Sequence, residues 1–185
     1  MRRALDALYL ATAWLAALCL VAIAVLVALQ LGGRILDGVL KLMGFRPYGF
    51  VILSLSEIAG YLLANASCLA LAYALKSGAH IRVTMMLGAL GDAARRRAEI
   101  FALVVAAAFS GWMAVALARL ALDSYRFNEV STGLIPVPLV WPQIGMAVGL
   151  GVLTISFLDE LGIVLLRGRP SFRAAEDAIT LGKEG

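Results

Sequence analysis

The stretch ALYLATAWLAALCLVAIAVLVAL, residues 7–29, sets the class of structure this chain can form. It contains no charged side chain, and Tyr9 and Thr12 are its most polar members. A helix needs about 20 mostly apolar residues to cross the roughly 30 Å hydrocarbon core of a bilayer. This run is long enough to cross. Arg2 and Arg3 precede it, as in a secretory leader, but its apolar part is about twice as long as a usual leader core and no small-residue cleavage site follows. We read it as a retained membrane anchor.

The pattern repeats along the chain. Residues 50–75 form a second apolar run, interrupted by Glu57 and Asn65. Residues 100–122 form a third, with Arg119 close to its end, and residues 138–166 form a fourth. The runs do not alternate and are too long for barrel strands, which argues against a membrane β-barrel. The composition agrees. The chain of 185 residues is 62% hydrophobic and 15% charged. A soluble domain averages about 25% charged residues, so there is too little polar surface here to coat a globule. The expectation is an all-α integral membrane protein with four transmembrane helices. It forms one membrane domain over residues 1–170, with a tail over 171–185.

Basic residues set the expected orientation. With the N-terminus inside, the inner segments hold Arg2, Arg3, Lys76, Arg82, Arg95, Arg96, Arg97, Arg167, Arg169, Arg173 and Lys183, eleven of the sixteen basic residues. Arg34, Lys41, Arg46, Arg119 and Arg126 fall outside or at outer helix ends. The positive-inside rule then places both termini in the cytoplasm. The net charge of +4 needs no nucleic acid to explain it, because anionic inner-leaflet lipid attracts these residues.

Two connections carry helical pattern of their own. In residues 33–46, Ile35, Val39, Leu42 and Met43 fall on one helical face, and Arg34, Asp37 and Lys41 on the other. In residues 80–98, Met85, Met86, Ala89, Leu90 and Ala93 form an apolar stripe ahead of three arginines. Both read as amphipathic interfacial helices that rest on lipid or cradle a second membrane protein.

A chemical site in a membrane protein shows ionisable residues inside its spans. The inventory is short: Glu57 in span two, Asp159 and Glu160 near the inner end of span four, and Arg119 near the outer end of span three. Ser54-x-x-Glu57 fits a capping box, which would make Glu57 a helix-start device. Otherwise Glu57 pairs with a cation on another helix or subunit, since an unpaired carboxylate there costs about 2–3 kcal/mol. Asp159 and Glu160 read most simply as interfacial residues, with Arg167 or the arginine-rich arm as pairing candidates. His80 is the one histidine of the chain, and no Cys, Asp or second His stands at metal-ligand spacing from it. Cys19 and Cys68 lie at different expected depths, which argues against a disulfide. No nucleophile elbow or phosphate loop occurs. No enzymatic activity, metal or cofactor is expected.

What the spans do offer is packing surface. Gly145 and Gly149 form a GxxxG step in span four. Gly60 and Ala64 place small residues four apart in span two, and Ala107 and Gly111 do so in span three. Small residues let helices approach closely in lipid. Before span four, Pro136, Pro138 and Pro142 precede or enter the first turn, Ser131 and Thr132 suit a turn, and Trp141, Tyr125 and Phe127 suit an interfacial aromatic belt.

Three features carry a resemblance. They are the acidic Glu57 in span two, the run Gly78-Ala79-His80-Ile81-Arg82-Val83 at its end, and the approach Ser131-Thr132, Pro136, Pro138, Trp141-Pro142, Gly145 to span four. In these the chain resembles the small membrane subunit of the tripartite ATP-independent periplasmic (TRAP) transporters, over roughly residues 7–166. The family often has Asp where this chain has Thr84, so a role for that acid does not carry over. The resemblance implies ion-gradient-driven import, usually with Na⁺, of an organic acid captured by a periplasmic solute-binding protein. It implies a large permease subunit that carries the substrate and ion sites. The small subunit would be its scaffold in the bacterial inner membrane, with membrane lipids around it. Glu57, Gly78, His80 and Arg82 would then form structural corners or subunit contacts. Gly60, Ala64, Gly145 and Gly149 would serve helix packing, and Ser131, Pro136 and Trp141 the outer loop. Other readings are the small subunit of a tripartite tricarboxylate transporter and a stand-alone membrane assembly or regulatory protein.

Overall fold

The computed structural model describes residues 2–77 and 92–167. They form four helices: α1 (Arg2–Leu42), α2 (Leu55–Lys76), α3 (Asp92–Arg126) and α4 (Val140–Arg167). Each is long and apolar enough to cross a membrane. The fold is all-α among the described residues, apart from a single antiparallel bridge between Val130 and Pro138.

Two helices are longer than the apolar runs suggest. The 41 residues of α1 join the first span and the amphipathic segment expected at 33–46 into one continuous helix. At 1.5 Å per residue α1 is about 62 Å long, twice the hydrocarbon core of a bilayer. Gly32 and Gly33 do not interrupt it, because a glycine inside a helix costs only about 1 kcal/mol and the flanking turns are strong helix formers. Gly33 serves another purpose. A Cβ there would come within 2.7 Å of the Phe50 ring, so glycine lets the following loop lie against the helix. The second is α3, which takes in part of the arm expected at 80–98. Its described part, from Asp92, is continuous with the third span, so Arg96 and Arg97 belong to the first turns of α3. Its remainder lies outside the described residues, as does the tail at 171–185.

Helices α1 and α3 stop at the same end of the molecule, and by the same device. Phe45 N–H donates to Leu40 O and Gly44 N–H to Lys41 O, with Gly44 at φ 78°. Glu129 N–H donates to Ser124 O and Asn128 N–H to Tyr125 O, with Asn128 at φ 49°. These are two Schellman motifs, built on the residues that tolerate a left-handed backbone best. After the first, residues 43–54 run back along α1. Asp37 accepts from the backbone N–H of Tyr48 (2.7 Å) and of Gly49 (3.1 Å), and Gln30 Oε1 accepts from Ile52 N–H (2.6 Å). The second span therefore becomes helical only at Leu55, five residues after its apolar run begins, because residues 50–54 are held to α1 instead. Replacing Asp37 by Ala should free this loop. Amide hydrogen exchange at Tyr48 and Gly49 is expected to accelerate about fivefold, for about 1 kcal/mol of hydrogen bonding lost. Unchanged exchange there would show that the carboxylate does not hold the loop.

The helices neighbour one another in the order α1, α2, α4, α3. Helix α1 packs along α2 and meets α4 where Tyr9, Ala72 and Val152 cluster. Helix α3 packs on α4. The result is a row, not a closed bundle. Small residues make the α1–α2 contact, where Ala16, Ala66 and Leu69 are buried with Cys19 and Ala70 beside them. Cys19 and Cys68 are both free thiols. A row leaves broad apolar faces uncovered: Trp14, Leu18 and Val21 on α1 and Phe101, Phe109 and Trp112 on α3 are all exposed. Water would not tolerate such faces, but lipid or a second membrane protein would.

Candidate functional site: two polar helix ends and an apolar packing seam

Helices α2 and α4 run parallel, and their shared seam runs from one end of the spans to the other. Asn65 faces Gly145, and a Cβ on that glycine would sit 2.8 Å from Asn65 Cγ. One turn on, a Cβ on Gly149 would lie 2.6 Å from the carbonyl carbon of Cys68 and 2.8 Å from Leu69 N. Here the two backbones touch, which only glycine permits. On the other side of α4, Gly111 makes ordinary contact with Thr154 Cγ2, and Thr154 Oγ1 lies 3.0 Å from Ser110 Oγ. The glycine steps of spans three and four thus face neighbouring helices of this chain. Gly60 differs. Nothing lies within 4 Å of a Cβ built there, and Ala64 is half-buried.

Where α2 and α4 end, the seam closes on charge. Lys76 Nζ donates to Asp159 Oδ2 and, at 2.7 Å, to Glu160 Oε1. Glu160 is completely buried, and the Lys76 side chain is 16% exposed. The ammonium also lies 5.5 Å from the centroid of the Tyr9 ring, within range of a cation–π contact. Tyr9 is buried, so three helices meet at one cation. Nearby, Arg96 of α3 donates to Leu165 O at 3.1 Å. A cation there satisfies the open carbonyls at the end of α4 and complements its dipole. Asp159 and Glu160 therefore pair with Lys76, a partner that the sequence reading did not name. The sequence held a usable signal. One crossing, α3, separates α2 from α4, so both run the same way and their final turns share a depth.

Glu57 stands at the opposite end. The capping box expected there does not form. Ser54 occupies the N-cap position with a left-handed backbone (φ 56°) and makes no side-chain cap bond. Its hydroxyl instead accepts from Ile135 N–H at 3.1 Å, which ties the α3–α4 loop to the start of α2. Glu57 Oε1 accepts from the Tyr61 hydroxyl at 2.9 Å. Its carboxylate rests on Gly133, where a Cβ would come within 2.8 Å of Glu57 Cδ. The α3–α4 loop is itself closed around Ser131. That hydroxyl donates to Ile135 O and accepts from Val137 N–H, both at 3.2 Å, while Ser131 N–H donates to Val137 O at 2.9 Å. Pro136 is exposed on this loop, and Trp141 is 70% exposed at the start of α4. Gly78, His80 and Arg82 lie outside the described residues.

Chemically, this arrangement offers surfaces. The polar groups at both ends tie helices and loops together, and no group of His, Cys, Asp and Glu suited to hold a metal occurs among the described residues. The fold and its surfaces define a multi-pass membrane protein with extensive uncovered apolar faces. The sequence model of the family described as tripartite ATP-independent periplasmic transporters, DctQ component, matches residues 46–165. That is well over half of the chain, and the chain belongs to this family. It is the small permease component of a TRAP transporter, a subunit of a transporter and not an enzyme, and the other two components of the tripartite system are its partners. No curated protein and no solved structure matches the chain.

Proposed function

We propose that this chain is the membrane scaffold of its transporter. It packs against the large permease subunit during Na⁺-gradient-driven uptake of an organic acid delivered by a periplasmic binding protein. The observation that carries this reading is the row of helices. A row exposes two broad apolar faces, and a large membrane partner gains van der Waals packing by covering one of them. The polar groups support the same reading, since they join elements of this chain to one another. Substrate and ion sites then belong to the large subunit.

The chain sits in the bacterial inner membrane with both termini in the cytoplasm. Its basic residues support that orientation, because the Lys76 end also carries Arg96 and Arg97. The Glu57 end, with its closed α3–α4 loop, then faces the periplasm, where the binding protein docks.

Affinity capture of the chain from gently solubilised native membranes, read by mass spectrometry, tests this. The expected result is stoichiometric recovery of one large polytopic membrane protein. Recovery of the chain alone, folded and monodisperse, would overturn the scaffold reading.

A further inference from the structure

A cleft of about 690 Å³ opens at the Glu57 end, between α1, the 43–54 loop and the turn at Gly133. Its size lies within the range of small-molecule sites, about 300–1,000 Å³. Two charges of opposite sign line it, Arg34 on α1 and Glu57 on α2. They form no ion pair with each other, and neither forms one with any other described residue. Gln30 lies one turn before Arg34 on the same face of α1, so a side-chain amide and a guanidinium stand side by side. The Gln30 carbonyl oxygen is engaged by Ile52 N–H, which leaves its NH₂ as a donor. Glu57 is held in place by Tyr61 and seated on Gly133. Leu31, Ile52 and Leu134 supply apolar wall.

The cleft therefore has an anion-binding side, an opposing carboxylate and an apolar lining. Its depth is fixed by α2. The 22 residues of that helix span about 33 Å, close to the hydrocarbon thickness, so its first turn lies at the headgroup layer. We propose that this cleft binds a zwitterionic lipid headgroup that carries a phosphate diester and a primary ammonium, of the phosphatidylethanolamine type. Arg34 and Gln30 take the phosphate oxygens, Glu57 takes the ammonium, and the apolar wall takes the start of the acyl chains. A lysine from a partner protein would satisfy Glu57 but leave Arg34 facing the same volume without an anion. A zwitterion satisfies both.

The test uses the full chain in complex with its large subunit, in nanodiscs of equal parts phosphatidylethanolamine and phosphatidylglycerol. Native mass spectrometry after mild delipidation reads the lipid retained. The expected result is retention of phosphatidylethanolamine over phosphatidylglycerol by about tenfold, one charge-assisted contact's worth of selectivity. Glu57→Gln should bring the two lipids to parity. Arg34→Gln should lower retention of both and leave their ratio unchanged, a pattern that unfolding does not produce. Equal retention of the two lipids by the parent chain, or no retained lipid, would overturn the proposal. So would displacement of the lipid by free phosphoethanolamine at equal concentration, which would assign the cleft to a soluble ligand. Carbodiimide cross-linking of Glu57 to a lysine of the large subunit would overturn it in favour of a protein contact.

Discussion

Replacing Lys76 by Met should unfold the Lys76 end of the protein. The substitution leaves Asp159 and the completely buried Glu160 side by side with their shared cation removed. Removing one partner of a buried ion pair costs about 3–5 kcal/mol, because the remaining charge is stranded away from water. A whole domain is stable by only about 5–15 kcal/mol, so the loss is a large share of the total. It should also reach α1, since Tyr9 packs on the same ammonium. Thermal unfolding in mild detergent measures it, with a marked fall in Tm for Lys76→Met. The variant that also carries Asp159→Asn and Glu160→Gln should recover most of the loss, because replacing every member of a buried charge group costs far less than orphaning one. A single variant as stable as the parent would mean that this cluster does not hold the helices together.

The second large effect is expected at Gly149. A methyl group there meets the backbone of Cys68 and Leu69, and backbone cannot step aside as a side-chain tip can. Gly149→Ala therefore has to push α2 and α4 apart along the seam that holds Gly145 against Asn65. Overpacking of this kind costs about 1–3 kcal/mol, and Gly149→Leu should abolish the folded state. Gly151 provides the control two residues away. Nothing lies within 4 Å of a Cβ built there, so Gly151→Ala should gain up to about 1 kcal/mol of helix propensity. Melting curves of the two alanine variants should move in opposite directions. Equal shifts would show that the α2–α4 contact is looser than the structure has it.

These residues also mark how far the sequence could be read. The four spans were legible because apolar runs of 20 or more residues seldom occur outside membrane-crossing helices. The end of α1 was legible in principle, at Gly44, where a glycine follows the last helical turn. Its continuity through Gly32-Gly33 was not, because glycine reads locally as a weak point, and the reason for Gly33 is Phe50, which approaches only in the folded chain. The Ser54-x-x-Glu57 pattern misled for a similar cause. The Ser54 hydroxyl was taken by Ile135, a partner 81 residues away that local spacing cannot reveal. Lys76 went unnoticed as a partner because basic residues at span ends ordinarily serve orientation. Counting helix directions would have placed it beside Asp159 and Glu160. The order of the helices in the row depends on which faces prefer each other, and composition carries little of that.

In the scaffold reading, this chain contributes architecture to its transporter and leaves ion coupling to the large subunit. The decisive measurement is uptake in proteoliposomes with all three components, normalised to the amount of assembled complex. It is made for Glu57→Gln, Asp159→Asn and Glu160→Gln in turn. The expected result is that variants change how much complex assembles, while uptake per complex keeps its dependence on the driving ion. A variant that assembles in parental amount but loses that dependence would refute the scaffold reading and place an ion-coupling group in this subunit.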